Sequence, residues 1–511
     1  MTRLEQFIDR PHDDRGTGTA VAPRRVTDRP IRVAQVAVAL LLLLKLYAAA
    51  AIPPNGDEAY YWMWGQKLDW SYLDHPPLHS WLLGLMSHLF GWNLFALRGL
   101  TWLTLGGTLW IFWLWAKRLQ PADPPAWFWP SAAIYLASPM FFLMSSIAFH
   151  DHLLILLCLA SAHCLLVFVE RWERTGGDWR WLYAAATLLG LAMLTKYNAA
   201  LLGLGFAIFL AVSRPLRPLW RTPHLYLAAL WSIVLQAPVL WWNVSRSFAS
   251  YEFHLAQRWN DIPLAPSWET LSGFVTIEIG FLSPFLLPAI VLVALRPVAA
   301  SFAGRARTLA VATFVLSTLA TLGLSVFTSV YFYWNIVAFV ALMPLLAGWM
   351  ERRWMLYLHL GYGLVIILSI LVNYTLFPIT SQNEGKWTTA SLHGWPEVAT
   401  RIRALERTHP VGFVATTDYG SAAQLGFAMH DPDVIDLSSR HDQYDIWFDA
   451  AAHSGQDALV VADPAYGIGE AAPHFDSLTQ LESVPYTAFG KIIYEPTIYL
   501  GSHFHAEAKA R

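Results

Sequence analysis

Long apolar runs separated by short polar turns dominate the chain up to about residue 378 and set its architecture. The runs lie at roughly 32–52, 93–116, 127–148, 152–169, 181–195, 198–213, 224–242, 270–295, 307–328, 335–350 and 355–376. A helix needs about 20 apolar residues to cross a bilayer, so the pattern predicts about eleven transmembrane helices, two of them short. Lysine and arginine orient such helices because they concentrate at cytoplasmic ends. Lys117 with Arg118, Arg171 with Arg174, Arg214 with Arg217 and Arg221, Arg296 with Arg305 and Arg307, and Arg352 with Arg353 fall on alternate ends. With the arginine-bearing N-terminus they assign one face to the cytoplasm. The loops 53–92 and 243–268 then share the other face with the turns at His150–His152, Lys196–Asn198 and Tyr331–Asn335.

Residues 1–31 are polar and lack the apolar core of a cleaved signal peptide. They predict a cytoplasmic N-terminal tail followed by an uncleaved signal anchor. From about Thr380 the long apolar runs stop, and short β-rich pieces such as Val411–Thr416, Ala458–Ala462 and Lys491–Tyr494 alternate with helical or loop stretches. The expected organisation is a tail (1–31), a transmembrane domain (32–378) and a small soluble α/β domain (379–511) outside the cytoplasm. The fold class is an α-helical polytopic membrane protein carrying that α/β domain.

Composition agrees. Of 511 residues, 56% are hydrophobic and only 14% charged, where a soluble chain carries about a quarter charged. A net charge of −2 gives no footprint for nucleic acid. The 26 tryptophans suit interfacial belts and sugar or lipid contacts. Cys158 and Cys164, both in an apolar run, indicate neither a disulfide framework nor a metal site. No phosphate-binding glycine loop, dinucleotide fingerprint, HExxH zinc motif or nucleophile elbow occurs. The chemistry on offer is carboxylates, cations and aromatics on one membrane face, which suits transfer from a lipid-linked, phosphate-activated donor to a hydroxyl.

Four constellations carry that chemistry. In Asn55–Trp62 a turn precedes a short helix on which Asp57, Tyr60 and Tyr61 share a face. Asp57 there is either a helix cap or a general base whose pKa rises near hydrocarbon. In Asp74-His75-Pro76-Pro77 the prolines suit the first turn of another helix. Asp74 either caps that helix or orients His75 toward an anion. The turn Phe149-His150-Asp151-His152 offers Asp151 as a second carboxylate, and two histidines around one acid are too few to assign a metal. In Thr195-Lys196-Tyr197-Asn198, Lys196 either snorkels to the interface or contacts phosphate. Arg246, His254 and Arg258 in the 243–268 loop are further phosphate contacts of the same kind.

GDEAYYW in the first loop, then YLDHPPL, an acid before the fourth span and LTKYNA together resemble the GT-C glycosyltransferases. The resemblance runs to the branch holding lipid A aminoarabinose transferases, lipid A galacturonosyltransferases and protein mannosyltransferases. It covers most of the membrane region and extends more weakly to Asp418-Tyr419-Gly420 and Arg440–Trp447. It implies a polyprenyl-phosphate sugar as donor and direct displacement with inversion, with no cofactor and no metal in the mechanism. The residues themselves leave a divalent-metal requirement open. It further implies Asp57 as the base and Asp151 as a second acid positioning acceptor or sugar. His75 and Lys196 would hold the phosphate, supported by Asp74 and Glu58, with Tyr60, Tyr61 and Tyr197 around the donor. Aminoarabinose transferases carry Arg and Glu-Lys-Pro where this chain has Tyr60 and Asp74-His75-Pro76, so the resemblance favours a different sugar.

The implied activity is sugar transfer to a lipid or lipopolysaccharide acceptor (lipid A or core) at the inner membrane's periplasmic face. A protein O-mannosyltransferase is the alternative within the class. A lipid or sugar transporter is the alternative outside it, but transporters place polar sites near the bilayer midplane on broken helices. A non-catalytic scaffold gives no reason for acids in three separate turns.

Overall fold

The computed structural model describes residues 29–255, 265–295, 301–350, 353–376, 378 and 389–507. Most of the expected N-terminal tail lies outside them, as do Arg258, Arg296 and Arg352. The first part of the chain supplies α1 (Arg29–Ala51), α2 (Gly56–Gln66), α3 (Leu78–Phe90), α4 (Leu94–Leu119), α5 (Pro124–Ala137), α6 (Pro139–Met144), α7 (His150–Thr175), α8 (Trp179–Met193) and α9 (Ala200–Val212). Then follow α10 (Pro223–Val234), α11 (Ala237–Ser245), α12 (Ala249–Leu255), α13 (Trp268–Leu282), α14 (Leu287–Leu295), α15 (Phe302–Ser325), α16 (Ile336–Val340), α17 (Met343–Leu346) and α18 (Arg353–Thr375).

Every predicted apolar run contains helix, but continuity differs from run to run. Among the described residues, five helices (α1, α4, α7, α15 and α18) are long and apolar enough to cross a membrane. The number rises to eight if each bent pair forms one span. The bent pairs are Tyr197–Val212 with Arg214–Arg221 at 111°, α10 with α11 at 46°, and Trp268–Leu282 with Pro284–Leu295 at 80°. The other three runs are shorter or interrupted: α5 and α6 part at Ser138–Pro139, α8 has 15 residues, and α16 and α17 have five and four. Proline lacks a backbone N–H and clashes with the preceding turn, which explains the breaks at Pro139 and Pro284. Helix α7 is apolar and buried almost all round, with 83% of its most apolar window covered by neighbours. It is the central post of the bundle.

The two helices outside the spans set the geometry of everything above them. Asn55 caps α2, accepting from the Glu58 N–H at 2.9 Å while Glu58 reaches back to the Asn55 N–H. Asp57 is therefore not the cap, because Asn55 already satisfies the first turn. Pro77 stands at the N-cap of α3 without a side-chain bond, so Asp74 does not cap that helix either. Helices α2 and α3 touch backbone to backbone at Gly65 and Gly84, where a Cβ on Gly84 would lie 2.5 Å from the Gly65 carbonyl oxygen. Such an approach requires glycine.

Glu58 and Arg98 form the buried junction beneath α2. The guanidinium grips both carboxylate oxygens, Nε to Oε1 at 2.9 Å and Nη2 to Oε2 at 2.6 Å. Arg98 also donates to the Ala48 and Ile52 carbonyls at the end of α1, and Glu58 accepts from the Ala148 N–H at 2.7 Å, just before α7. One ion pair thus joins α1, α2, α4 and α7.

The C-terminal part is α/β, as its pattern predicts. It holds α19 (Trp395–Leu405), β1 (Phe413–Thr416), α20 (Tyr419–Met429), β2 (Ile435–Asp436), α21 (Gln443–Trp447), β3 (Ala458–Ala462), β4 (Phe475–Ser483), β5 (Tyr486–Ala488), β6 (Lys491–Tyr494) and β7 (Thr497–Phe504). A five-stranded sheet runs β2-β1-β3-β7-β4, with β1 parallel to β2 and β3 and the β7 pairings antiparallel; β5 and β6 form a separate hairpin. Helix α20 packs on α2. Trp62 lies between Trp92 and Phe427, each 5.7 Å away ring to ring. The Trp92 indole donates to the Phe427 carbonyl at 3.0 Å, and Gln424 donates to the Pro54 carbonyl at 2.9 Å.

Removing one partner of a buried ion pair strands the other charge and costs about 3–5 kcal/mol. Arg98→Met is accordingly expected to lower the melting temperature of detergent-purified protein sharply. The double variant Glu58→Gln/Arg98→Met should recover much of the loss. Equal melting for wild type and Arg98→Met would contradict a junction held by this pair.

Candidate active site

A cavity of about 1180 Å³ lies between the helical bundle and the C-terminal sheet domain. That is large enough for a lipid phosphate and a sugar together, since small-molecule sites run to about 1,000 Å³. Nine of the twelve residues singled out from sequence line it: Asp57, Tyr60, Tyr61, Asp74, His75, Asp151, Lys196, Tyr197 and His254. They come from α2, the α2–α3 loop, the start of α7, the break between α8 and α9, and α12. Three do not. Glu58 faces the other way, into its pair with Arg98. Arg246 sits outside the wall, paired with Asp69 at 2.8 Å and lying over the Trp242 ring. Arg258 lies outside the described residues.

The carboxylates are arranged in pairs with cations or hydroxyls. Asp151 receives Lys196 on both oxygens at 2.9 Å, and the Lys196 ammonium also lies 4.8 Å from the Tyr333 ring. The acid and the cation assigned to separate tasks are thus one ion pair in the cavity. Asp74 accepts from Tyr60 Oη at 3.2 Å and from Arg440 Nη2 at 2.8 Å. Asp57 accepts from Tyr419 Oη at 3.1 Å. His75 stands against the rings of Tyr61 and His150, with centroids 5.7 and 4.4 Å away. Behind it the imidazoles of His150, His79 and His152 continue inward, ending in a 3.0 Å bond between His152 Nδ1 and Thr104.

Asp57 sits where the two halves of the protein meet. Burial raises its pKa above the ordinary carboxylate value, and the nearby Asp74 charge adds to that rise. Arg440, the Tyr419 hydrogen bond and Lys196 act in the opposite sense. A carboxylate tuned upward but still flanked by cations suits a general base. Asp418 also lines the cavity. It caps α20 through the Gly420 and Ser421 N–H groups, and burial, aided by Asp463, pushes its pKa up to about 6.

Tyr419 and Arg440 are the functional-looking residues that sequence reasoning did not select. Both lie in strings flagged as similar to the family, but nothing local distinguished them from their neighbours. Their signal is purely spatial. The Arg440 guanidinium lies 3.8 Å from the Tyr419 ring centre, over a tyrosine that bonds Asp57. Among the described residues, no group of three or more His, Cys, Asp or Glu is placed to hold a metal ion.

Comparison with known proteins shows what the chain is similar to. The family model described as dolichyl-phosphate-mannose-protein mannosyltransferase matches residues 74–242, which include Asp74, His75, Asp151 and Lys196. The lipid A galacturonosyltransferase RgtD of Rhizobium johnstonii is 25% identical over 391 residues, covering 73% of this chain and 77% of that protein. ArnT from Cupriavidus metallidurans in its apo state superposes with a TM-score of 0.61 at 16% identity, over 94% of this chain and 99% of that one. The same enzyme bound to undecaprenyl phosphate gives 0.60 at 17%, over 92% and 98%. Fold and sequence similarity together support a membrane glycosyltransferase of the GT-C type. The similarities in sequence run to a protein mannosyltransferase family model and to a lipid A sugar transferase.

The Tyr419 hydrogen bond stabilises the ionised form of Asp57, so removing it raises the pKa further. Tyr419→Phe is expected to shift the protonated-carboxyl infrared band that disappears in Asp57→Asn, so that it titrates at higher pH than in wild type. A shift to lower pH, or none, would contradict the contact.

Proposed function

We propose that this enzyme transfers a sugar from a polyprenyl-phosphate donor to a hydroxyl of a lipid or lipopolysaccharide acceptor, lipid A foremost, at the periplasmic face of the inner membrane. The observation that carries the reading is the single cavity that collects Asp57, Asp151, His75 and Lys196 from four separate parts of the chain. Similarity to a lipid A galacturonosyltransferase supports the acceptor class. The undecaprenyl phosphate held by an enzyme of the same fold supports the donor class.

In this mechanism Asp57 removes the acceptor hydroxyl proton as that oxygen bonds to the anomeric carbon. The bond from that carbon to the phosphate oxygen breaks on the opposite side, its electron pair leaving with the lipid phosphate. The configuration inverts. Phosphate is already a good leaving group, so the protein's tasks are to orient the reactants and to stabilise the charge that grows on the phosphate. Lys196 and His75 serve the phosphate. Asp151 holds Lys196 in place until the donor arrives and then orients sugar or acceptor. Asp74 fixes the loop that carries His75, through Tyr60 and Arg440.

Loss of a general base costs about 10²–10⁴-fold in rate, so Asp57→Asn should fall by that factor while inserting and folding normally. In wild type the same carboxylate must be ionised. Activity should decline as pH falls through a pKa above the usual carboxylate value, with the decline absent from residual Asp57→Asn activity. Full activity in Asp57→Asn removes it as the base. His75→Ala should chiefly raise KM for the lipid donor, and an unchanged donor dependence would exclude the phosphate role.

The orientation has its own test. Ser454 is exposed on the C-terminal domain, and Cys158 and Cys164 are both buried. Ser454→Cys should react with a membrane-impermeant maleimide applied to spheroplasts. Protection until the membrane is permeabilised would reverse the topology.

A further inference from the structure

Five carboxylates line the cavity, namely Asp57, Asp74, Asp151, Asp418 and Glu470, but Lys196 and Arg440 are the lysine and arginine side chains on its described wall. An anionic lipid entering so acidic a space needs every fixed cation available. Lys196 is gripped on both sides by Asp151. Arg440 is engaged differently. Its Nη2 donates to Asp74 and its buried Nη1 stands 3.9 Å from Asp442, while about a third of the side chain stays exposed on the cavity wall.

The surroundings hold this guanidinium still. It lies over the Tyr419 ring at 3.8 Å, a contact that adds cation–π attraction. Immediately after it, Asp442 caps α21 through the Tyr444 N–H at 2.7 Å, and Asp445 bonds back to the Asp442 N–H at 2.8 Å. Immediately before it, the Ser439 N–H is tied to Glu470 at 2.7 Å. The consecutive residues Ser438, Ser439, Arg440 and His441 all face the cavity. A half-buried arginine that lines the cavity, with Nη2 anchored on Asp74 and its guanidinium against the Tyr419 ring, is preorganised to receive an oxyanion.

We propose that Arg440, carried by the C-terminal domain, forms an oxyanion subsite of the cavity, taking either the carboxylate of an acidic sugar or the phosphate of the lipid donor. The proposal rests on the lipid-linked sugar reading above and extends it. It makes the C-terminal domain part of the binding site, closing the cavity from the side opposite the transmembrane helices.

Full-length protein in nanodiscs can be titrated with three probes: undecaprenyl phosphate, a short polyprenyl phosphate bearing galacturonic acid, and the same lipid bearing galactose. A charge-assisted hydrogen bond lost from a binding site costs on the order of 10- to 100-fold in affinity. Arg440→Gln should lose that factor. A loss confined to the galacturonosyl lipid assigns the subsite to the sugar carboxylate. An equal loss on all three assigns it to the phosphate. Arg440→Gln also takes from Asp74 its cation, leaving the Tyr60 hydroxyl as donor, so Asp74→Asn and Asp74→Asn/Arg440→Gln separate binding from structure. Loss in the double variant beyond that of Asp74→Asn alone supports the subsite, whereas affinity in the double variant equal to that of Asp74→Asn reduces Arg440 to a docking contact and overturns it. Unchanged affinities in Arg440→Gln overturn it too, leaving the donor reading intact. Failure of wild type to bind any of the three lipids would overturn the donor reading itself, and this subsite with it.

Discussion

Glu58 and Arg98, paired where water does not reach, are the interaction on which the rest of the molecule depends. A carboxylate and a guanidinium are tolerated there only because each finds hydrogen-bond partners for its remaining atoms. Arg98 uses its spare N–H groups on the carbonyls that α1 leaves unpaired at its end. Glu58 uses one oxygen on the N–H of Ala148, just ahead of α7. The direction of α2 is settled by that junction. Glu58 points down into it, which obliges Asp57, one residue earlier and about 100° around the helix, to face the cavity.

The cavity follows from the same constraint. With α2 fixed below, α20 packs above it through Trp62, Phe427 and Trp92, and the backbone before Asp57 is held by Gln424. The C-terminal domain is thereby positioned to bring Tyr419 to Asp57 and Arg440 to Asp74. Each carboxylate on the catalytic wall is left with a donor that a substrate can displace or supplement. The acids of this site share their charges with cations and hydroxyls, and electrostatic preorganisation of that kind suits glycosyl transfer with a phosphate leaving group.

Much of this was legible along the chain. Each apolar run proved to contain helix, because in lipid only a helix satisfies its own backbone. The strands at 413–416, 458–462 and 491–494 were legible as well. The helical breaks were less so. Pro139 and Pro284 sit inside runs that read as continuous, and hydropathy does not register a missing N–H. Asp57, Asp74, His75, Asp151 and Lys196 stood out because polar residues at the ends of spans are costly and rarely incidental. Glu58 stood out for the same reason, yet it serves the junction rather than the cavity.

The sequence by itself determined the class of protein, the spans, and the acids and cations gathered in its turns, since these depend on periodicity and on residues near one another in the chain. Tertiary structure alone decided which charges meet. Arg98 lies 40 residues from Glu58, Lys196 lies 45 from Asp151, and Arg440 lies 366 from Asp74. Pairing at such separations is chosen by the packing of helices and the docking of a second domain. No local preference of the chain encodes it, and for that reason the wall contributed by Tyr419 and Arg440 came into view only in three dimensions.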